Sequence, residues 1–252
     1  MRENYRNSIA SIKKFPQFTT MHVIDGQAGL IICASLIFYS LTIDNILNTV
    51  VALAIALSGF KFMKGYETRG ELTGLQTFGY FTVQSNVFMA IVSLAFAIKE
   101  IQLLKGRITK IPFKYYILKM IAVTAIGLTF FVVFIIFSIL LKNGVLSLIR
   151  NSNLFFHCII PVTSIINFIF FEKTDTIKLK YTFFGLIPTI LYEMYYTSNV
   201  LLNMKDGKVS PSHDWYYFAQ NGLLIAISIP FMILGITYII ALIIWKFNKS
   251  SN

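Results

Sequence analysis

Charge is scarce in this chain, and acidic charge scarcer still: 13% of residues are charged, with 22 Lys and Arg against 11 Asp and Glu. So few charges cannot clothe the surface of a soluble domain of 252 residues. The 56% hydrophobic content and mean hydropathy of +0.69 point the same way and exclude an ordinary water-soluble fold. Cysteine is nearly absent. Cys33 and Cys158 both fall in apolar runs, which leaves no disulfide framework and no CxxC metal or redox site. The chain also lacks a GxxxxGK[ST] phosphate loop, an HExxH zinc pair and a GxSxG nucleophile elbow, so neither a metal nor a cofactor is expected. No internal repeat is visible, nor a pair of glycine-broken spans in matching halves of the kind that marks many secondary transporters.

What the chain has in abundance is long apolar runs. A helix rising 1.5 Å per residue needs about 20 apolar residues to cross about 30 Å of hydrocarbon. Residues 78–98, 115–141, 154–171, 181–202 and 218–245 each meet that need. The runs are continuous rather than alternating, so backbone groups in lipid are satisfied within helices and not in a closed barrel. The expected fold is all-α, a polytopic transmembrane helical bundle forming a single integral membrane domain over residues 1–252.

Residues 24–60 are ambiguous, because this apolar stretch is interrupted near its middle by Asp44 and Asn45 and is long enough to cross once or twice. Lys and Arg collect on the cytoplasmic side of membrane helices. One crossing places fourteen basic residues inside and seven outside; two crossings make the count eleven against ten and erase the bias. Six spans, with seven as the alternative, and both termini cytoplasmic is therefore the expectation, with residues 1–23 a basic cytoplasmic segment. The first apolar stretch is too long for a signal peptide and lacks a small-residue cleavage site. The net charge of +11 sits mainly in inner loops, where it orients helices and meets anionic lipid headgroups of the cell membrane rather than nucleic acid. Lys119, inside the third span, is expected to snorkel toward those headgroups.

Polar residues inside the spans carry the functional signal. Thr82, Ser85 and Asn86 stand at i, i+3 and i+4 on one helix face, as do His157, Pro161 and Ser164. In the six-span reading both helices run inward from the outer boundary, which puts Thr82 and His157 at matching depth. Thr189, Glu193, Tyr196 and Thr197 share a face of the fifth span. The loop before the last span, SPSHDWYY, brings His213, Asp214, Trp215, Tyr216 and Tyr217 to the same boundary, its aromatics suited to an interfacial belt and Asp214 to orienting an imidazole.

The order YFT-x-x-SN, H-x-x-x-P, a proline followed by tyrosines, and DWYY resembles bacterial six-pass membrane proteins of unassigned function. These are in turn distantly similar to the androgen-induced membrane hydrolases. The resemblance covers residue 78 to the C terminus, and it implies a threonine and a histidine that cleave lipid esters, at Thr82 and His157. The asparagine after the threonine is displaced by one residue from the hydrolase pattern. The chemistry is coherent: a threonine hydroxyl needs an adjacent base to become a nucleophile, and histidine suits that task near neutral pH. Ser85 or Asn86 would then donate to the oxyanion. Other readings stand beside this one. Thr82 back-bonding within its own helix and Asn86 joining two helices would be structural. A proton-linked small-molecule transporter using Glu193 and a non-enzymatic membrane scaffold are the competing functions.

Overall fold

The computed structural model describes residues 44–63, 74–137, 151–174, 176–210, 212–216, 218–219 and 223–249. These residues are helical throughout their ordered elements, apart from an isolated bridge between Lys205 and Lys208 that closes a turn. The basic segment 1–23, the rest of the ambiguous run up to residue 43, and Tyr217 lie outside the described residues.

Helix α1 (Asp44–Met63) begins at the polar pair expected to interrupt a longer run. It is 20 residues long and contains the Asp44–Asn45 pair. A 3-10 turn (Gly74–Gly79) leads into α2 (Phe81–Leu104), which stops at Gly106 with φ of +66°, a left-handed conformation natural to glycine. Pro112, extended at ψ 139°, caps α3 (Phe113–Phe131), which runs on as a π-helical stretch (Val132–Phe137).

The next leg is continuous but irregular: α4 (Asn151–Leu154), a π-helical stretch (Phe155–Ile159) and α5 (Ile160–Phe170). Pro161 has no N–H to offer the carbonyl four residues back, that of His157, and the wider turn falls just ahead of it. A 3-10 segment (Leu179–Leu186) feeds α6 (Ile187–Leu202), with Pro188 in its first turn where a missing donor costs nothing. Helix α7 (Leu223–Asn248) closes the chain.

Side-chain contacts show that successive legs alternate in direction. Ser85 near the start of α2 meets Thr129 near the end of α3, and Asn86 reaches Phe156 ahead of α5. Tyr192 of α6 bonds the Gly79 carbonyl, and Asn248 at the end of α7 bonds Phe168 at the end of α5. The bundle thus has one end where α2 and α5 begin and another where they finish. Among the described residues three helices, Phe81–Leu104, Phe113–Phe134 and Ala226–Asn248, are long and apolar enough to cross a membrane. Their outward side chains include Ile91, Leu94 and Ile98 on α2 and Phe231, Ile239 and Phe247 on α7, all exposed, which suits lipid rather than water.

The main core joins Ile55, Met89, Val92, Met120, Ile126, Phe156, Phe168 and Ile244 from five different helices. Helices α1 and α2 approach closely at Gly59, where an added Cβ would lie 2.7 Å from the Ala90 Cβ and 3.2 Å from the Asn86 carbonyl oxygen. Small residues allow such contact between membrane helices. Gly59→Val is therefore expected to destabilise the protein by about 1–3 kcal/mol through overpacking, read as a lower unfolding temperature in detergent.

Candidate functional site

The start of α2 is a meeting point. Thr82 is half-buried in the first turn, and its carbonyl accepts from Ser85 Oγ at 3.1 Å and from Asn86 Nδ2 at 2.8 Å. The same Asn86 nitrogen donates to the Phe156 carbonyl at 3.1 Å. Asn86 is fully buried, so these bonds form without competition from solvent. They tie the backbone at Thr82 to the backbone one residue before His157, and the two helices meet at one level. His157, buried, donates from its ring to the Asn153 backbone one turn earlier.

Ser85 and Asn86 are not the oxyanion donors expected of them. Both amide hydrogens of Asn86 are committed to carbonyls, and Ser85 shares a 2.9 Å bond with Thr129 Oγ1 besides its bond to Thr82. Buried donors that already have partners are costly to redirect. These two residues hold helices together.

An aromatic cluster packs against Tyr80 and Phe81 at the start of α2. Tyr192, Tyr196, Val200 and Trp215 form a buried cluster against Tyr80, Phe81, Tyr216 and Phe218. The Phe81 and Tyr192 rings stand edge to face at 5.1 Å. Tyr192 Oη donates to the Gly79 carbonyl at 2.7 Å and accepts from Trp215 Nε1 at 3.1 Å. Phe81 N–H, an otherwise orphaned donor at the helix start, donates to Tyr216 Oη at 3.2 Å. Burial pushes the Tyr216 phenol up to about 12, so its proton is held at neutral pH.

Asp214 and Trp215 differ from their expected roles. Trp215 is buried with its N–H spent on Tyr192, so it is a packing residue of this cluster and not an interfacial anchor. Asp214 is fully buried and orients no imidazole: its Oδ1 accepts from Tyr196 Oη and from Phe218 N–H at 3.0 Å, folding the 212–219 loop onto α6. His213 Nδ1 instead meets Asn199 Oδ1 at 3.3 Å. Glu193 is buried beside this cluster, and its Oε2 has no hydrogen-bond partner among the described residues. Thr197, expected on the same face, is exposed; the inward face is Thr189, Tyr192, Glu193, Tyr196 and Val200.

At the opposite end, Lys119 does not snorkel. Its ammonium is fully buried, 2.9 Å from Glu172 Oε1 and 3.2 Å from Ser93 Oγ, and lies 5.1 Å from the Phe96 ring centroid. The stem cannot reach headgroups because Glu172, just beyond α5, folds inward to meet it. Asn167 Nδ2 adds a 2.6 Å bond to the same carboxylate oxygen, and Asn248 Nδ2 holds the Glu172 carbonyl at 3.0 Å. Burial raises the Glu172 carboxyl, while Lys119 and Asn167 pull it back toward ionisation. Glu172 and Glu100 carried no signal as isolated residues beside basic loops. A signal was present in spacing: Asn86, Ser93 and Glu100, each seven residues apart, form one fully buried polar stripe along α2.

Among the described residues no group of three or more His, Cys, Asp and Glu is arranged to hold a metal. Comparisons with protein-family models, with curated proteins and with solved structures find no match for this chain.

Proposed function

We propose that this chain is a multi-pass protein of the cell membrane, crossing six times with both termini cytoplasmic, that hydrolyses lipid esters with Thr82 as nucleophile and His157 as base. The observation that carries this reading is the Asn86 clasp, which bonds the Thr82 carbonyl at 2.8 Å and the Phe156 carbonyl at 3.1 Å. The resemblance of YFT-x-x-SN and H-x-x-x-P to six-pass proteins akin to the androgen-induced hydrolases supports it, as does the excess of basic residues in loops at the far end.

In this mechanism the Thr82 hydroxyl adds to the ester carbonyl as His157 takes its proton. The tetrahedral oxyanion collapses, and the alcohol leaves with the proton returned by His157. Water, deprotonated by His157, then cleaves the Thr82 ester and releases the acid. Ser85 and Asn86 are occupied, so oxyanion stabilisation falls to another donor. A lipid substrate enters laterally, its chains against the exposed apolar side chains of the bundle.

The test is direct. Purified protein should label with a fluorophosphonate-type probe and turn over a fluorogenic lipid ester, and Thr82→Ala and His157→Ala should each remove both signals with the unfolding temperature retained. Undiminished turnover in Thr82→Ala rejects the assignment. The unpartnered, buried Glu193 Oε2 favours a second reading, proton-linked transport. Glu193→Gln would then abolish proton-coupled uptake into vesicles, an activity a hydrolase lacks.

A further inference from the structure

Among the described residues, the far end of the bundle carries two buried carboxylates and one buried ammonium. Glu100 in the last turns of α2, Lys119 on α3 and Glu172 after α5 are all fully or almost fully buried. Lys119 is spent on Glu172 and Ser93. Glu100 lies within electrostatic reach of both Lys119 and Glu172, faces Thr49 of α1, and shares Tyr116 of α3 as a neighbour with Glu172. With every group ionised, the cluster holds one negative charge without a counter-charge among the described residues.

The hydrogen-bond inventory points the same way. Both carboxylate oxygens of Glu100, the second oxygen of Glu172 and the side-chain oxygen of Asn167 are buried, and none meets a donor at full hydrogen-bond geometry among the described residues. All four are acceptors. Their residues are already linked, since Asn167 donates to Glu172 and Glu172 pairs with Lys119. Buried acceptors on linked residues, with a charge of minus one among the described groups, favour uptake of a cation. A divalent ion would overshoot, leaving the cluster with a net positive charge in a low-dielectric interior.

We propose that Glu100, Glu172 and Asn167 form a buried site for one monovalent cation, a proton or an alkali-metal ion, held beside the Lys119–Glu172 pair. The site is separate from the Thr82 end of the bundle and does not rest on the hydrolase reading. Glu100 is the residue whose charge the cation neutralises; Lys119, Tyr116, Thr49 and Ser93 frame it from α1, α2 and α3.

The experiment uses the full chain in detergent. Infrared difference spectra between acidic and alkaline pH are compared for the wild type, Glu100→Gln and Glu172→Gln, and unfolding temperatures are measured in sodium chloride and choline chloride at alkaline pH. If a proton occupies the site, a protonated-carboxyl band appears in the wild type, is insensitive to sodium, and is lost in Glu100→Gln. If an alkali ion occupies it, sodium but not choline raises the unfolding temperature saturably, and Glu100→Gln loses that rise. Glu172→Gln should lose either response as well, because Lys119 is then free to neutralise Glu100; it keeps the test decisive should Glu100→Gln fail to fold. The proposal is overturned if the wild type shows neither response, or if the response survives in the variants.

Discussion

Lys119→Met will destabilise the detergent-solubilised protein by about 3–5 kcal/mol, the cost of leaving a buried carboxylate without its partner. The ammonium touches Glu172 Oε1 at 2.9 Å and Ser93 Oγ at 3.2 Å, and both side chains of the ion pair are fully buried. Removing it leaves Glu172 without its ion-pair partner and within electrostatic reach of the Glu100 carboxylate. Glu172→Leu alone should cost a similar amount by stranding the ammonium. The double variant Lys119→Met/Glu172→Leu should recover most of the loss, because the pair's desolvation cost disappears together with its attraction. Denaturant or thermal unfolding of the four proteins forms a double-mutant cycle. Additive losses in that cycle would show that the two side chains do not interact in the folded protein.

Asp214→Ala should cost about 3 kcal/mol, since hydrogen bonds to a charged group contribute about 1.5–3 kcal/mol each. Asp214 Oδ1 receives both the Tyr196 hydroxyl and the Phe218 N–H, from a side chain fully withdrawn from solvent. Without it a phenol and a backbone donor are left buried and unpaired, and the 212–219 loop loses its attachment to α6. Faster chymotrypsin cleavage within that aromatic loop should accompany the drop in unfolding temperature. Asp214→Asn keeps an acceptor oxygen and should lose less than half as much. Equal losses for Asn and Ala would mean that charge, rather than the acceptor position, holds the loop.

The polar faces of the helices were legible because their period is local. Ser85 and Asn86, and likewise His157, Pro161 and Ser164, were readable as inward-facing from spacing alone, and all are buried. That Thr82 and His157 belong at one end followed from the directions of their helices. What those polar atoms bond was not legible. Spacing leaves Asn86 open as an oxyanion donor and Asp214 as an imidazole partner, whereas both Asn86 amide hydrogens go to carbonyls of two helices and Asp214 accepts from Tyr196.

The Lys119 case shows the same limit most sharply. A lysine one or two turns inside a helix end has two outcomes, reaching out to headgroups or pairing inside, and its own sequence neighbourhood is the same in both. The choice rests with Glu172, 53 positions along the chain, and with Asn167 and Asn248, which pin it.

Composition and run length by themselves determined that this is a chain of apolar helices, and the 3.6-residue period determined the inward side at Ser85, Asn86, His157 and Ser164 though not at Thr197, because both depend on residues within a turn or two of one another. Only the tertiary structure decided which buried donor meets which buried acceptor. Hydrogen bonds and ion pairs act over about 3 Å, so they are set by how separate helices pack and not by any spacing along one of them.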